Sequence, residues 1–158
     1  VYVAVKVPEI DTVDRAVTTL NLEHHRSSSG PWQFLGFPAS SSAAAIFFSA
    51  GGAPIHDPDS LVTHVPAVDG LQEVWLEGGP EVVEMFEQLG ALRCGLAKSG
   101  TGIGGERLGL SRGTIVVVPS TDGARPRVLG AVLRSEGRAG PVRPHARFWI
   151  RYEPKDVR

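Results

Sequence analysis

The segment LQEVWLEGGPEVVEMFEQLG, residues 71–90, predicts a β-strand followed directly by an α-helix. Val74 and Leu76 alternate with charged or aromatic neighbours, which is typical of a strand with one buried face. Pro80 suits the first helical position, because proline has no amide hydrogen to leave unpaired there and its φ is already helical. Gly90 suits the helix end, because glycine adopts positive φ without a steric penalty. The segment therefore predicts a helix that packs on a sheet.

The first 21 residues repeat this pattern at a constant offset of 69 positions. Apolar positions of the strand and helix coincide in these pairs: Val5 with Val74, Val7 with Leu76, Val13 with Val82, Val17 with Phe86 and Leu20 with Leu89. Asn21 falls on Gly90. A match that continues through a strand, a turn and a helix predicts a repeated structural unit.

We therefore expect a first module at residues 1–52, a linker at 53–70 and a second module with a C-terminal extension at 71–158, all in one structural domain. Apolar or alternating runs predict further strands at 43–50, 92–97, 113–118, 128–134 and 146–152. The run at 113–118 is apolar enough to be covered on both faces. Glycine, serine and proline predict loops at 99–105 and 136–144, and a loop that carries short extended pieces at 27–42.

The composition is that of an ordinary soluble protein, with 42% hydrophobic and 21% charged residues among 158. No run approaches the roughly 18 apolar residues that a membrane span needs, and the N-terminal residues lack a signal-peptide pattern. Cys94 is the only cysteine. An intrachain disulfide is thus excluded, and we expect a reducing, cytoplasmic location.

The charges are unevenly distributed along the chain. Residues 1–92 hold 3 basic and 12 acidic side chains, whereas residues 93–158 hold 13 basic and 5 acidic ones. One interpretation, which we favour, is that the two parts attract each other or a second subunit. The other is a basic surface for an anionic ligand or nucleic acid.

Several residue clusters contain side chains of the kinds that form chemical sites. The glycines of residues 100–105 are not followed by a good helix, so they favour a mobile connection over a phosphate-binding loop. Metal-ligating side chains crowd the predicted linker without a defined spacing: His56, Asp57, Asp59 and His64. His24 and His25 lie near a helix end, and Cys94 has no nucleophile motif around it. None of these clusters predicts a defined reaction.

The strand openings at residues 3–11 (VAVKVPEID) and 71–77 (LQEVWLE), with the helix ends at 20–22 (LNL) and 89–91 (LGA), resemble the vicinal oxygen chelate superfamily. This superfamily comprises the glyoxalase, bleomycin-resistance and dioxygenase fold, and the chain is most similar to divergent glyoxalase-like members. The resemblance implies an α+β fold in which two βαβββ modules pair as an incomplete barrel around a ligand. Members of this superfamily often pair modules across subunits, so the resemblance also implies a homodimer.

Enzymes of this superfamily hold a divalent metal with histidines and glutamates from strands of both modules. The alignment places the first ligand position on Tyr2 and the second on Glu73. The other two fall in the strands around residues 46–48 and 128–133, which contain neither histidine nor carboxylate. One good oxygen ligand is too few for a metal site. The resemblance thus implies no metal or cofactor, and it leaves open whether the protein is an enzyme.

The favoured hypothesis is a metal-free protein that binds a small apolar or aromatic molecule, as a resistance or carrier protein does. Aromatic side chains suit such a ligand through stacking and area burial. The candidate ligand-binding residues are Trp75, Phe47, Phe48, Trp32, Phe34, Tyr2 and Glu73. One alternative is a metal-dependent lyase, isomerase or dioxygenase that uses Glu73 and histidines. Another is a non-catalytic module whose basic C-terminal half docks an anionic partner, although neither nucleic acid nor a membrane is the expected partner.

Overall fold

The computed structural model describes residues 2–38, 45–51, 68–98, 104–111, 113–120, 126–135, 140–145 and 148–154. The first module comprises β1 (Tyr2–Lys6), α1 (Ile10–Thr19), β2 (His25–Ser29), β3 (Trp32–Gly36) and β4 (Ala45–Gly51). The second comprises β5 (Val68–Gly78), α2 (Pro80–Gln88), β6 (Leu92–Lys98), β7 (Gly104–Gly109) and β8 (Thr114–Pro119). Three strands follow, namely β9 (Arg127–Ser135), β10 (Gly140–His145) and β11 (Phe148–Pro154).

The two modules have the same strand order. The four-stranded sheet runs β1-β4-β3-β2, and the seven-stranded sheet runs β10-β11-β9-β5-β8-β7-β6, which contains β5-β8-β7-β6 as the matching set. In each module the first strand is parallel to the last, and the remaining neighbours are antiparallel. The predicted α+β fold with two βαβββ modules is therefore confirmed. The described strands form two separate sheets and no closed barrel.

The helix ends show the repeat at the level of single hydrogen bonds. Leu22 N–H donates to Val17 O, and Ala91 N–H donates to Phe86 O, each at 2.9 Å. Both bonds close six-residue turns of the Schellman type, which need a residue with positive φ just past the helix. Asn21 supplies it in the first module, and Gly90, 69 positions later, in the second.

One hydrophobic core joins both helices to both sheets. The predicted helix stripes are confirmed, because Val13 and Val17 of α1 and Val82 and Phe86 of α2 are all buried in it. Phe48 of β4 contributes a fully buried ring. The two modules thus fold around shared apolar contacts, which are the main source of their stability.

The face of the seven-stranded sheet turned away from α2 is also covered. Ile115 and Val117 lie in the main core, whereas Val116 and Val118 are buried on the opposite face. This confirms the prediction that β8 is covered on both faces. Trp75 is buried on that face as well. The alternation in β5 predicts one buried face, whereas the structure buries side chains on both faces of the strand.

Three parts of the chain are more regular than predicted. Residues 25–36 form the hairpin of β2 and β3, and β7 forms where glycines predicted no regular element. The prediction of a loop over residues 136–144 is wrong at β10, which contains Pro141 and Pro144. Proline is tolerated there because β10 is the edge strand of its sheet.

The predicted module boundaries are only partly within the described residues. β4 ends at Gly51, and β5 begins at Val68, inside the predicted linker at residues 53–70. The rest of that linker, with His56, Asp57, Asp59 and His64, lies outside the described residues. The described helices have only 10 and 9 residues, and neither is long and apolar enough to cross a membrane.

Candidate functional site

A cleft of about 690 Å³ lies between the two modules. Residues 3–8 of the first module line one side, together with Ile46, and the first half of β5, the start of β8 and the turn before β8 line the other. Most of the lining is aliphatic: Val3, Val5, Val7, Ile46, Leu71, Val74, Leu110 and Ile115. Several of these side chains belong to the main core. The bottom of the cleft is therefore formed by side chains at the boundary of the hydrophobic core.

The cleft has few polar side chains. Among the described residues of its lining, Lys6 supplies the single charged group, and Gln72, Ser111 and Thr114 supply neutral donors and acceptors. No aspartate, glutamate, histidine or cysteine is among the described residues that line it. A lining of this kind suits an apolar molecule that carries a small number of polar groups.

The free edge of β1 faces this cleft. Six consecutive residues, 3–8, line it, and side chains of consecutive strand residues point to opposite faces. The side chains of these six residues therefore cannot all point into the cleft, so what faces it is the backbone edge of β1 on the side opposite β4. Within the described part of the chain, β1 pairs only with β4.

A second cluster lies on the face of the seven-stranded sheet turned away from α2, which we call the far face. It brings together Glu73 and Trp75 of β5, Arg107 of β7, and Trp149 and Arg151 of β11. The rings of Trp75 and Trp149 meet edge to face, with centroids 5.7 Å apart. Trp75 is only 2% exposed, so its ring is a packing element of this face.

Glu73 is surrounded by donors on this face. Its Oε1 accepts a hydrogen bond from Arg107 Nη2 at 2.9 Å, and its Oε2 accepts one from the indole Nε1–H of Trp75 at 3.0 Å. Arg151 Nη2 lies 4.0 Å from Oε2. The Nε atoms of Arg107 and Arg151 are buried and make no hydrogen bond to any residue that the structure describes. Both oxygens of the carboxylate therefore already accept a hydrogen bond from a protein donor.

Three of the other predicted site residues form an aromatic stripe on the four-stranded sheet. Trp32 stacks on Phe34 with ring centroids 6.4 Å apart, and Phe34 meets Phe47 edge to face at 6.0 Å. Lys6 Nζ lies 6.0 Å from the centroid of Trp32, within the range of a cation–π contact. All three rings are half-buried. None of the three rings lines the cleft among the described residues, although Lys6, which contacts Trp32, does.

The remaining two predicted residues lie elsewhere. Phe48 is fully buried and packs against Phe37 and Phe86 in the core. Tyr2 begins β1 and is paired with Ala45 in the register of the sheet. The structure thus distributes the seven residues over the far face, the stripe, the core and β1. None of them is among the described residues that line the cleft.

Sequence reasoning missed the two arginines that hold Glu73 and the aliphatic residues of the cleft. The sequence shows that Trp149 and Arg151 alternate with apolar neighbours. It does not show which strand lies beside theirs or which side chains they contact. For β1, the run of valines predicted a buried face and gave no sign that its edge would stay open. The useful signal was the repeat, because it makes β1 the counterpart of β5.

Three described arginines of the C-terminal part form ion pairs with glutamates of the part before it. Arg107 pairs with Glu73, Arg127 with Glu77 and Arg93 with Glu87. Hydrogen bonding from Arg93 lowers the pKa of the Glu87 carboxyl. The uneven charge distribution therefore supports the interpretation that the two parts attract each other.

The other titratable side chains form no candidate metal centre. Among the described residues, no group of three or more histidine, cysteine, aspartate or glutamate side chains could hold an ion. His24 bridges Asp14 of α1 and the carbonyl of Leu22, each at 2.8 Å, and so ties the helix to the segment before β2. Cys94 is exposed and its thiol contacts the carbonyl of Leu92.

Comparisons with known proteins support the fold and go no further. No protein-family model matches the chain, and no curated protein matches it. A hypothetical protein from Staphylococcus aureus has a similar structure, with a TM-score of 0.52 and 10% identity over 96% of this chain. The chain spans 64% of the length of that protein. A lactoylglutathione lyase from Agrobacterium tumefaciens is more distant, with a TM-score of 0.41, 14% identity, and coverage of 75% of this chain and 91% of the lyase.

Proposed function

We propose that the protein binds a small, mainly apolar or aromatic molecule in the cleft between its two modules, without using a metal ion. The observation that carries this proposal is a cleft of about 690 Å³ whose lining is mostly aliphatic. Its volume falls within the roughly 300–1,000 Å³ typical of small-molecule sites. The repeated βαβββ fold agrees with the superfamily whose metal-free members sequester such molecules.

The hydrogen bonds that Glu73 accepts favour ligand binding without a metal ion over the metal-dependent alternative. A carboxylate ligand must offer free oxygen lone pairs to the ion. Glu73 instead accepts from Arg107 and from Trp75. A cation placed there would have to displace Arg107 and would meet the positive charge of Arg151, which is 4.0 Å from the carboxylate.

The pairing of the arginines also counts against the docking of an anionic partner. Arg93, Arg107 and Arg127 each have a glutamate partner within the chain. Their charges are partly neutralised, so they offer a weaker field to an external anion than free arginines do.

The proposal is tested by titrating the protein with 8-anilinonaphthalene-1-sulfonate, an anion with a large aromatic part whose fluorescence rises in apolar surroundings. We expect saturable, stoichiometric binding to the wild type. Ser111→Trp and Thr114→Trp place a large ring in the cleft lining, and each should weaken binding at least 10-fold. Thr18→Trp, on the exposed face of α1, is the matched control and should bind the dye as the wild type does. Equal binding by all four proteins would overturn the proposal.

A further inference from the structure

The backbone of β1 offers hydrogen-bonding groups to the cleft. Val7 N–H donates to Ser49 O of β4 at 2.9 Å. Because alternate residues of a strand direct their N–H and C=O groups to the same side, the amides of Val3 and Val5 also turn toward β4. Those of Ala4 and Lys6 then turn outward, toward the cleft that both residues line. Neither takes part in a strand pair on that side within the described residues.

The second module shows which kind of element can pair with the equivalent edge of a first strand. β5 is the counterpart of β1, since each begins its module and each pairs in parallel with the last strand of that module. The outer edge of β5 is covered by β9, which runs antiparallel to it from Val68↔Ser135 to Glu77↔Arg127. The same position beside β1 is where the cleft lies. The fold thus completes one of two equivalent edges with an antiparallel strand from its own chain.

A ligand for this edge needs two properties. It must carry amide N–H and C=O groups at the spacing of an extended chain, to pair with Ala4 and Lys6. It must also carry apolar side chains, to bury against the aliphatic lining around Ile46, Leu110 and Ile115. A small rigid hydrocarbon meets the second condition only. A short apolar peptide in extended conformation meets both.

We propose that the cleft ligand is a short, extended, apolar peptide that adds to β1 as an antiparallel strand, in the way that β9 adds to β5. This inference rests on the proposed function, because it names the chemical class of the molecule that the cleft binds. Pairing with the edge of β1, which pairs only with β4 among the described strands, would also hold the ligand in one orientation. Backbone pairing fixes the register, and alternate side chains of the peptide face the aliphatic lining.

The test uses the acetylated, amidated peptide Val-Leu-Gly-Ala-Val-Leu, which has the sequence of residues 128–133 in β9. Its fully N-methylated analogue has the same side chains but cannot donate backbone hydrogen bonds. Each peptide is titrated against the protein loaded with 8-anilinonaphthalene-1-sulfonate. Hydrogen exchange of the Ala4 and Lys6 amides is followed by NMR in the same samples. The Val3 and Val5 amides, which face β4, serve as internal controls.

We expect the unmodified peptide to displace the dye and to slow exchange at Ala4 and Lys6 at least 10-fold, with no change at Val3 and Val5. The N-methylated peptide should bind at least 10-fold more weakly. Equal displacement by both peptides would overturn the peptide inference, as would dye binding that neither peptide affects, and both results leave the proposed function standing. Failure of the dye itself to bind would instead overturn the proposed function. Protection of Ala4 and Lys6 that rises with protein concentration in the absence of peptide would show that a second copy covers the edge, and would also overturn the inference.

Discussion

Arg107 on β7 reaches across β8 to Glu73 on β5, and its Nη2 lies 2.9 Å from the carboxylate. The two residues are 34 positions apart in the sequence and two strands apart in the sheet. The Glu73 side chain is only 16% exposed, whereas that of Arg107 is 41% exposed. The pair is therefore partly screened by solvent, and its loss should have a measurable but moderate effect.

Glu73→Gln should lower the free energy of unfolding by about 1–2 kcal/mol, because it removes charge-assisted hydrogen bonds and leaves Arg107 without the carboxylate that it pairs with. Chemical denaturation monitored by circular dichroism measures this loss. Glu84→Gln, on the exposed face of α2, is the matched control and should change stability by less than about 0.5 kcal/mol. A Glu73→Gln variant as stable as this control would show that the pair contributes nothing.

The same pair leads to a prediction about metal ions. Because Arg107 and Trp75 already donate to Glu73, we expect Zn²⁺, Mn²⁺ or Ni²⁺ at equimolar concentration to leave the thermal midpoint of the wild type unchanged. We also expect EDTA to leave dye binding unchanged. Stabilisation by one equivalent of a metal, lost in Glu73→Gln, would contradict a metal-free site and revive the enzyme hypothesis.

Asn21 and Gly90 end their helices with φ values of +53° and +91°. Asn21→Ala should lower stability by roughly 1–2 kcal/mol, because an alanine Cβ is strained at positive φ, whereas Asn21→Gly should be neutral or slightly stabilising. Gly90→Ala is the parallel test in the second module, since its Cβ would meet no atom within 4 Å and would report backbone strain alone. Thermal unfolding of the three variants gives the comparison. Equal stability of Asn21→Ala and Asn21→Gly would show that the two helix ends are not equivalent.

The ion pair between Arg93 and Glu87 predicts a pH dependence. Hydrogen bonding from Arg93 lowers the pKa of Glu87, so the pair contributes its full stabilisation above the ordinary carboxyl pKa and loses it as the pH falls through the lowered pKa. Arg93→Gln should raise the pKa of Glu87 toward its ordinary value, as measured by NMR titration of the side-chain carboxyl. Lys98→Gln, which removes an exposed positive charge elsewhere, should leave the Glu87 titration curve in place. Identical curves for wild type and Arg93→Gln would contradict the pairing.

Much of the fold could be predicted from local pattern. The apolar positions of α1, α2 and β5 repeat with the periods of helix and strand, and the constant offset identified the modules. β7 and β10 were missed because glycines and prolines weaken the local strand signal. Both strands depend on neighbours that are distant in sequence, since β7 lies beside β8 and β10 lies beside β11.

Less of the candidate site could be predicted. Alternation identifies which residues share a face of one strand, but it does not show which faces and edges meet. Trp75, Phe47 and Phe48 share an aromatic side chain, but they lie in three different places, namely the far face, the aromatic stripe and the core. The cleft arises where the edge of β1 faces the first half of β5 and the start of β8. That relation depends on how the two modules pack, and no short segment of the sequence encodes it.

The central claim is that the cleft, and neither the aromatic stripe nor the far face, is where an apolar ligand binds. NMR shift mapping with N-phenyl-1-naphthylamine, the uncharged analogue of the dye, tests this most directly. We predict that the methyl signals of Val5, Ile46, Leu110 and Ile115 shift in a saturable manner, while the indole signals of Trp32 and Trp149 stay in place. Shifts confined to the indoles of Trp32, Trp75 and Trp149, with the cleft methyl signals unmoved, would contradict the account.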